Sequence, residues 1–243
     1  MQKLMGFMRR AIQDYEMIAD GDKIAVGVSG GKDSVGLLCG MAQMRRFLPQ
    51  KYDVVAVTID PCFGGKEGDY TPIAELCDKL SVEYVIKRSN ISDVVFDIRE
   101  EKNPCSLCAK LRRGALHDEA LRLGCNKLAL GHNMDDAVET FLMNLFQGGH
   151  IGCFAPVTWL SRKEITMIRP LVYATEREIR NAVNRSQLPI IESCCPVNGK
   201  TTREDTKQFL LRLEEENPGL RERIFGAMIR GDIDGWGRGK IGR

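Results

Sequence analysis

Short apolar runs alternate along the chain with longer stretches in which apolar residues return every three or four positions. Lys23–Val28 (KIAVGV) and Val54–Ile59 (VVAVTI) are continuous enough to be strands buried on both faces. Glu83–Ile86 and Lys127–Leu130 read as shorter strands of the same kind. Helical periodicity fills the intervals at 34–46, 70–80, 106–123 and 134–147. An amphipathic helix precedes them all, with Leu4, Phe7, Met8, Ile12 and Tyr15 at helical spacing. This alternation predicts an α/β fold: a doubly wound, mostly parallel sheet with helices on both faces. In such a sheet ligands bind beyond the C-terminal ends of the strands.

After Gly148-Gly149 the pattern loosens. Glu164–Ile168 reads as a further strand and Glu176–Arg185 as a helix. A charged helix over 203–217 is broken by Asn217-Pro218-Gly219 from a last helix at about 220–230. The glycine-rich end, 231–243, reads as frayed. The expected organisation is an N-terminal helix over 1–20, the main domain over 21–200 and a helical C-terminal extension over 201–243.

Composition narrows the class without choosing a function. The 243 residues carry 35 Lys plus Arg against 33 Asp plus Glu, a balance that neither demands nor forbids a nucleic-acid partner. No stretch reaches the roughly 18 uninterrupted apolar residues of a membrane helix. The first residues lack the apolar core and small-residue cleavage site of a signal peptide. A cytoplasmic protein with no membrane partner is expected. Nine cysteines are many for such a chain, and the odd number argues against a secreted disulfide framework. Metal or redox chemistry becomes the sharper reading, small buried hydrophobes the plainer one.

The first strand runs straight into Ser29-Gly30-Gly31-Lys32-Asp33-Ser34 and then into a helix. Gly30 and Gly31 let backbone amides approach an anion, and the helix N-terminus adds unpaired N–H groups and a positive dipole end. Ser29 and Ser34 add hydroxyls, and Lys32 a charge. The spacing is neither that of a Walker loop nor that of a dinucleotide fingerprint. At the end of the fourth strand stands Gly131-His132-Asn133-Met134-Asp135-Asp136. Asp135 and Asp136 are either caps that favour the helix dipole or holders of magnesium on bound phosphates. His132 is one of three histidines and falls at the same sheet edge.

Cys105-Ser106-Leu107-Cys108 is the one CxxC, a spacing that lets two thiolates grip one metal or cluster. Cys194-Cys195 lies far along the chain, within reach only through tertiary folding. Cys39, Cys77, Cys125 and Cys153 read as packing residues, and Cys62 as a loop residue without a catalytic role. Arg9-Arg10, Lys110–Arg113 and 221–230 concentrate positive charge, either as solvated helix faces or as RNA contacts.

SGGKDS at 29–34 resembles the PP-loop of enzymes that cut ATP into AMP and pyrophosphate. Together with CSLCAKLRRGAL at 105–116, LGHNMDDAVETFLMN at 130–144, IRPL at 168–171 and CPVNGKT at 195–201, it resembles the tRNA 2-thiocytidine synthetase family and its thiouridine-forming relatives. The resemblance implies ATP lying across the loop, with contacts from Val28, Ser29, Gly30, Gly31, Asp33 and Ser34. It implies Ile59 against the adenine, with Arg112, Gly131 and His132 lining the nucleotide. It implies Mg²⁺ at Asp135 and Asp136, and a 4Fe–4S cluster on Cys105, Cys108 and Cys195, with Cys194 in reserve. Asp136, Lys32 and Cys105 are the implied catalytic residues.

The implied reaction adenylates a tRNA base through its carbonyl oxygen, after which sulfur replaces that oxygen and AMP leaves. The implied partners are tRNA and a sulfur donor, either sulfide or a persulfide carrier, with a homodimer left open. No cysteine precedes Cys39 or follows Cys195 in this sequence, so zinc ribbons like those of the thiouridine-forming relatives are not expected in it. Three other readings stay open: a sulfurtransferase or desulfurase of small molecules, a non-catalytic nucleotide or iron–sulfur sensor, and a zinc protein clipped by its CxxC.

Overall fold

The computed structural model describes residues 1–98, 104–192, 195 and 202–238. Its centre is a six-stranded sheet in the order β3-β2-β1-β4-β6-β5. The strands are β1 (Asp22–Gly27), β2 (Tyr52–Asp60), β3 (Glu83–Arg88), β4 (Lys127–Ala129), β5 (Val157–Leu160) and β6 (Ile165–Ile168). β1 pairs in parallel with β2 on one side and β4 on the other, β2 pairs in parallel with β3, and β4 with β6. Ile24, Ala25 and Val26 of β1 are all fully buried, as a central strand covered on both faces requires.

β5 was not legible in the sequence. It pairs antiparallel with β6 through a tight hairpin. Glu164, expected to open the last strand, is instead a turn residue with φ 48°. A four-residue strand whose Trp159 is 59% exposed offers too little alternation to stand out.

The helices are α1 (Gln2–Asp14), α2 (Lys32–Met44), α3 (Thr71–Leu80), the short turn α4 (Ile91–Asp93), α5 (Pro104–Arg122), α6 (Met134–Phe146), α7 (Glu176–Arg185), α8 (Thr202–Glu216) and α9 (Leu220–Arg230). Leu4, Met8 and Ile12 of α1, Leu37 and Met41 of α2, Ile179 of α7, Leu210 of α8 and Phe225 of α9 share one buried cluster on one face of the sheet. A second cluster on the other face joins Val55, Val57, Cys108, Ala120 and Leu128. Both terminal helices thus belong to the main core. Among the described residues no helix is long and apolar enough to cross a membrane.

Over residues 231–238 the expectation of a frayed end is overturned by Trp236, which is fully buried, and the rest of that segment lies outside the described residues. Its indole Nε1–H donates to the Phe154 carbonyl at 2.9 Å, its own carbonyl accepts from the Tyr15 hydroxyl at 3.0 Å, and its ring packs edge-on to Phe225 at 5.2 Å. Glycines flanking one large aromatic let the chain turn sharply and insert it, which composition alone reads as flexibility. Trp236→Phe is expected to cost about 2 kcal/mol, from one lost hydrogen bond and an unfilled volume. Chemical denaturation measures it, and an unchanged midpoint would count against an anchoring role.

Candidate functional site

The chain leaves β1 for β2 on one side and returns later to place β4 on the other, so the C-terminal ends of β1 and β4 form a topological switch point, where open α/β sheets hold their ligands. A pocket of about 400 Å³ opens there. Eight of the expected nucleotide residues line it: Val28, Ser29, Asp33, Ser34, Ile59, Arg112, Gly131 and His132. Gly27, Val57, Ala109, Arg113, Leu116 and Leu130 line it too and were not anticipated, since their place depends on how α5 lies over the sheet edge.

The loop is closed from within. The Ser29 N–H donates to Ser34 Oγ at 3.1 Å, and the Ser34 hydroxyl donates to the Gly31 carbonyl at 2.9 Å. Gly30 sits at φ +86°, a conformation that disfavours any side chain. Its carbonyl accepts from the Ile191 N–H at 2.9 Å, which ties the chain leading to Cys195 onto the loop. No side chain caps the N-terminus of α2 at Gly31, so its first N–H groups point at the site without a local acceptor. Gly131 completes the wall: a Cβ there would lie 3.2 Å from the backbone of Asp33 and Ser34.

Acids and bases around the loop are already paired. Lys32 Nζ lies 2.8 Å from Asp33 and 3.2 Å from Glu176. Burial lowers the Lys32 pKa, but these two carboxylates outweigh it and leave it raised. Burial pushes Glu176 up, yet Lys207 and Lys32 bring it down to about 2. Asp136 accepts the Asn133 N–H in a capping box and pairs with Arg203 at 3.0 Å. Burial raises its pKa against the pull of both partners.

Asp135 is the more firmly tied of the two adjacent acids. One carboxylate oxygen meets Arg221 at 2.5 Å and the other accepts the Glu176 N–H at 2.6 Å. These two bonds lock α6 to α7 and α9. Arg203, Lys207 and Glu176 were not singled out in the sequence, and Arg221 only within a basic stretch read as solvated or as contacting RNA, whereas it is buried. They lie in polar helices whose charges read equally well as solvated faces.

Glu139, one turn beyond Asp136, is 4% exposed. Burial pushes its carboxyl up to about 7, with the Asp136 charge adding to the rise and Arg203, Lys207 and Arg221 opposing it. A folded pKa above the ordinary 4.5 means that the folded chain holds a proton which the unfolded chain releases first. The stability this gives is full below about pH 4.5 and is lost as pH rises through about 7. Glu139→Gln is therefore expected to leave the melting temperature unchanged near pH 4.5 and to raise it by a few degrees at pH 8 in nucleotide-free protein. Equal melting curves at pH 8 would refute this.

Cys105 and Cys108 stand in the first two turns of α5, each one turn before a pocket residue, Ala109 and Arg112 respectively. Burial raises the Cys108 thiol pKa, Arg112 beside it opposes the rise, and Cys195 and Cys105 reinforce it. Among the described residues no three His, Cys, Asp or Glu side chains converge as they would around a single ion. Thiols one turn before the pocket lining are the donor type that an iron–sulfur cluster takes. Cys194 lies outside the described residues.

A profile of the PP-loop domain matches residues 5–212. The tRNA-cytidine(32) 2-sulfurtransferase of Geobacter sulfurreducens is 41% identical over 93% of this chain and 89% of its own length. The protein of the same name from Saccharophagus degradans is 39% identical over 91% of this chain and 71% of its own length. Among solved structures, the U34-tRNA thiolase NcsA from Methanococcus maripaludis, with its 4Fe–4S cluster, superposes with a TM-score of 0.72 at 23% identity, over 93% of this chain and 77% of that one, a likeness of fold. The chain belongs to the tRNA-cytidine(32) 2-sulfurtransferase family of PP-loop proteins.

Proposed function

We propose that this protein is a cytoplasmic, ATP-dependent sulfurtransferase that replaces the C2 carbonyl oxygen of cytidine 32 in tRNA with sulfur. The observation that carries the reading is the uncapped N-terminus of α2 behind the serine-closed loop, opening into the same pocket that α5 lines one turn after its thiols. Family membership supports the choice of tRNA cytidine.

In this reading the phosphates of ATP rest on the uncapped N–H groups of Lys32–Ser34 at the start of α2, and the adenine lies against Ile59. The cytosine O2 attacks the α-phosphorus, the bond to the pyrophosphate oxygen breaks, and pyrophosphate leaves. Fixed N–H donors stabilise the extra negative charge without reorganising, and Lys32 acts once it turns from Asp33 and Glu176 to the phosphate. Magnesium would be held by Asp136, whose pair with the partly exposed Arg203 is exchangeable, whereas Asp135 is tied to the buried Arg221. A 4Fe–4S cluster on Cys105, Cys108 and Cys195 would supply an iron position open to sulfur. Sulfur at the sulfide level adds to C2, and the oxygen departs with AMP, so no net oxidation occurs. Arg113 and Lys110, exposed on α5 beside the pocket, meet RNA phosphates.

The test is anaerobic turnover of reconstituted protein with Mg·ATP, sulfide and unmodified tRNA. One pyrophosphate released per 2-thiocytidine formed is expected. Equal turnover of free cytidine would move the reading to a small-molecule enzyme, and no pyrophosphate under any condition would end it.

A further inference from the structure

The IRPL motif carries an arginine to which the reaction above gives no task. Arg169 is 5% exposed. Its Nη1 donates to the Ala155 carbonyl at 2.5 Å and to Thr158 Oγ1 at 3.2 Å, its Nε is buried without a partner, and among the described residues no carboxylate pairs with it. A buried cation without a counter-charge opposes folding. What it does face is an aromatic ring: its guanidinium carbon lies 4.9 Å from the centroid of Phe154. The same ring packs at 5.0 Å, tilted 40°, against the imidazole of His132.

His132 lines the pocket beside Ser29, Asp33 and Ser34. Its Nδ1 is enclosed in protein without a hydrogen-bond partner. Nε2 is then the nitrogen available to a ligand. We propose that Arg169 and Phe154 are positioning residues that hold His132 as a neutral imidazole with Nε2–H turned toward the pocket, as a donor to a phosphate oxygen of the bound nucleotide.

The tautomer follows from the enclosure, because an unpartnered lone pair is tolerated more readily in a protein interior than an unpartnered N–H. A second proton would bury such an N–H and add charge near three guanidiniums. The charged groups facing the ring are Arg113 from α5, Arg169 after β6 and Arg203 from α8; burial lowers the His132 pKa to about 3, and all three arginines act in the same direction. A neutral imidazole can still serve as an electrophilic donor.

The inference rests on reading the pocket as the ATP site, and two measurements separate the two. In nucleotide-free protein, NMR follows the His132 ring from about pH 4 to 7. The wild-type ring is expected to stay neutral down to about pH 5 with its proton on Nε2, and Arg169→Lys to behave alike. Arg169→Gln, similar in reach but uncharged, is expected to shift the midpoint upward by about one pH unit. A wild-type midpoint near the ordinary histidine value, or Arg169→Lys and Arg169→Gln moving together, would overturn the proposal. Calorimetry with ATP supplies the second measurement. His132→Phe is expected to weaken binding about 10-fold, and His132→Gln, whose amide reaches the place of Nε2, to restore most of it. Wild-type binding matched by His132→Phe sinks the donor role alone, whereas no binding by the wild-type protein sinks the pocket reading.

Discussion

Gly30→Ala is expected to weaken ATP binding at least about 100-fold, roughly 2.7 kcal/mol, while leaving a folded protein. Two penalties combine at this residue. A φ of +86° puts any Cβ in the left-handed region, at a cost of about 1–2 kcal/mol. That Cβ would also lie 2.8 Å from the Cβ of Ile191. Ile191 cannot withdraw freely, because its N–H donates to the Gly30 carbonyl at 2.9 Å. Relief therefore comes by rotating the loop. Rotation moves the Gly31 carbonyl off the Ser34 hydroxyl and turns the α2 N–H groups away from the pocket. Ile191→Ala placed in the Gly30→Ala background is expected to recover the steric part and not the backbone part, giving an intermediate affinity. Calorimetry on the three variants decides it, and wild-type affinity in Gly30→Ala would show that the loop does not hold the phosphates.

The sequence made the loop and the strands behind it legible because their signals are local. A glycine pair between an apolar strand and a helix start needs no tertiary information to be read, and the four leading strands are continuous apolar runs. Legibility fails where the deciding partner is distant in sequence. Asp135 and Asp136 are adjacent and look equivalent at the start of α6. Helical geometry turns one back onto the N-cap and the other into contact with Arg221, 86 residues on. Nothing local separates them. The same holds for Arg169, whose motif was visible but whose contact with Phe154 depends on the β5–β6 hairpin that periodicity missed. Trp236 shows the converse error, since a glycine-rich tail was read by composition when one aromatic within it fills the core.

Cys105→Ala is expected to abolish 2-thiocytidine formation while ATP affinity stays within about 3-fold of wild type, a change below 1 kcal/mol. The separation follows from where the thiol stands. Cys105 is only half-buried and belongs to neither apolar cluster, so its loss leaves no core cavity. Cys108 is buried among Val95, Ile91 and Leu128, and Cys108→Ala adds a packing cost of about 1 kcal/mol, which makes it the less clean of the two. The nucleotide wall begins at Ala109 and Arg112, and α5 continues through Arg122 on contacts that neither sulfur makes. Loss of a cluster ligand should therefore remove bound iron and the sulfur step, yet leave the pocket and its loop in place. Cys195→Ala should reproduce the phenotype if its sulfur, whose charge is felt at Cys108, completes the set. Cys62→Ala should not, since that thiol lies in the loop after β2 and is not among the groups that act on Cys108. Iron content, labile sulfide, ATP calorimetry and nucleoside mass spectrometry on the same anaerobic preparations separate these outcomes. A Cys105→Ala protein that keeps its iron and thiolates at the wild-type rate would remove α5 from the chemistry.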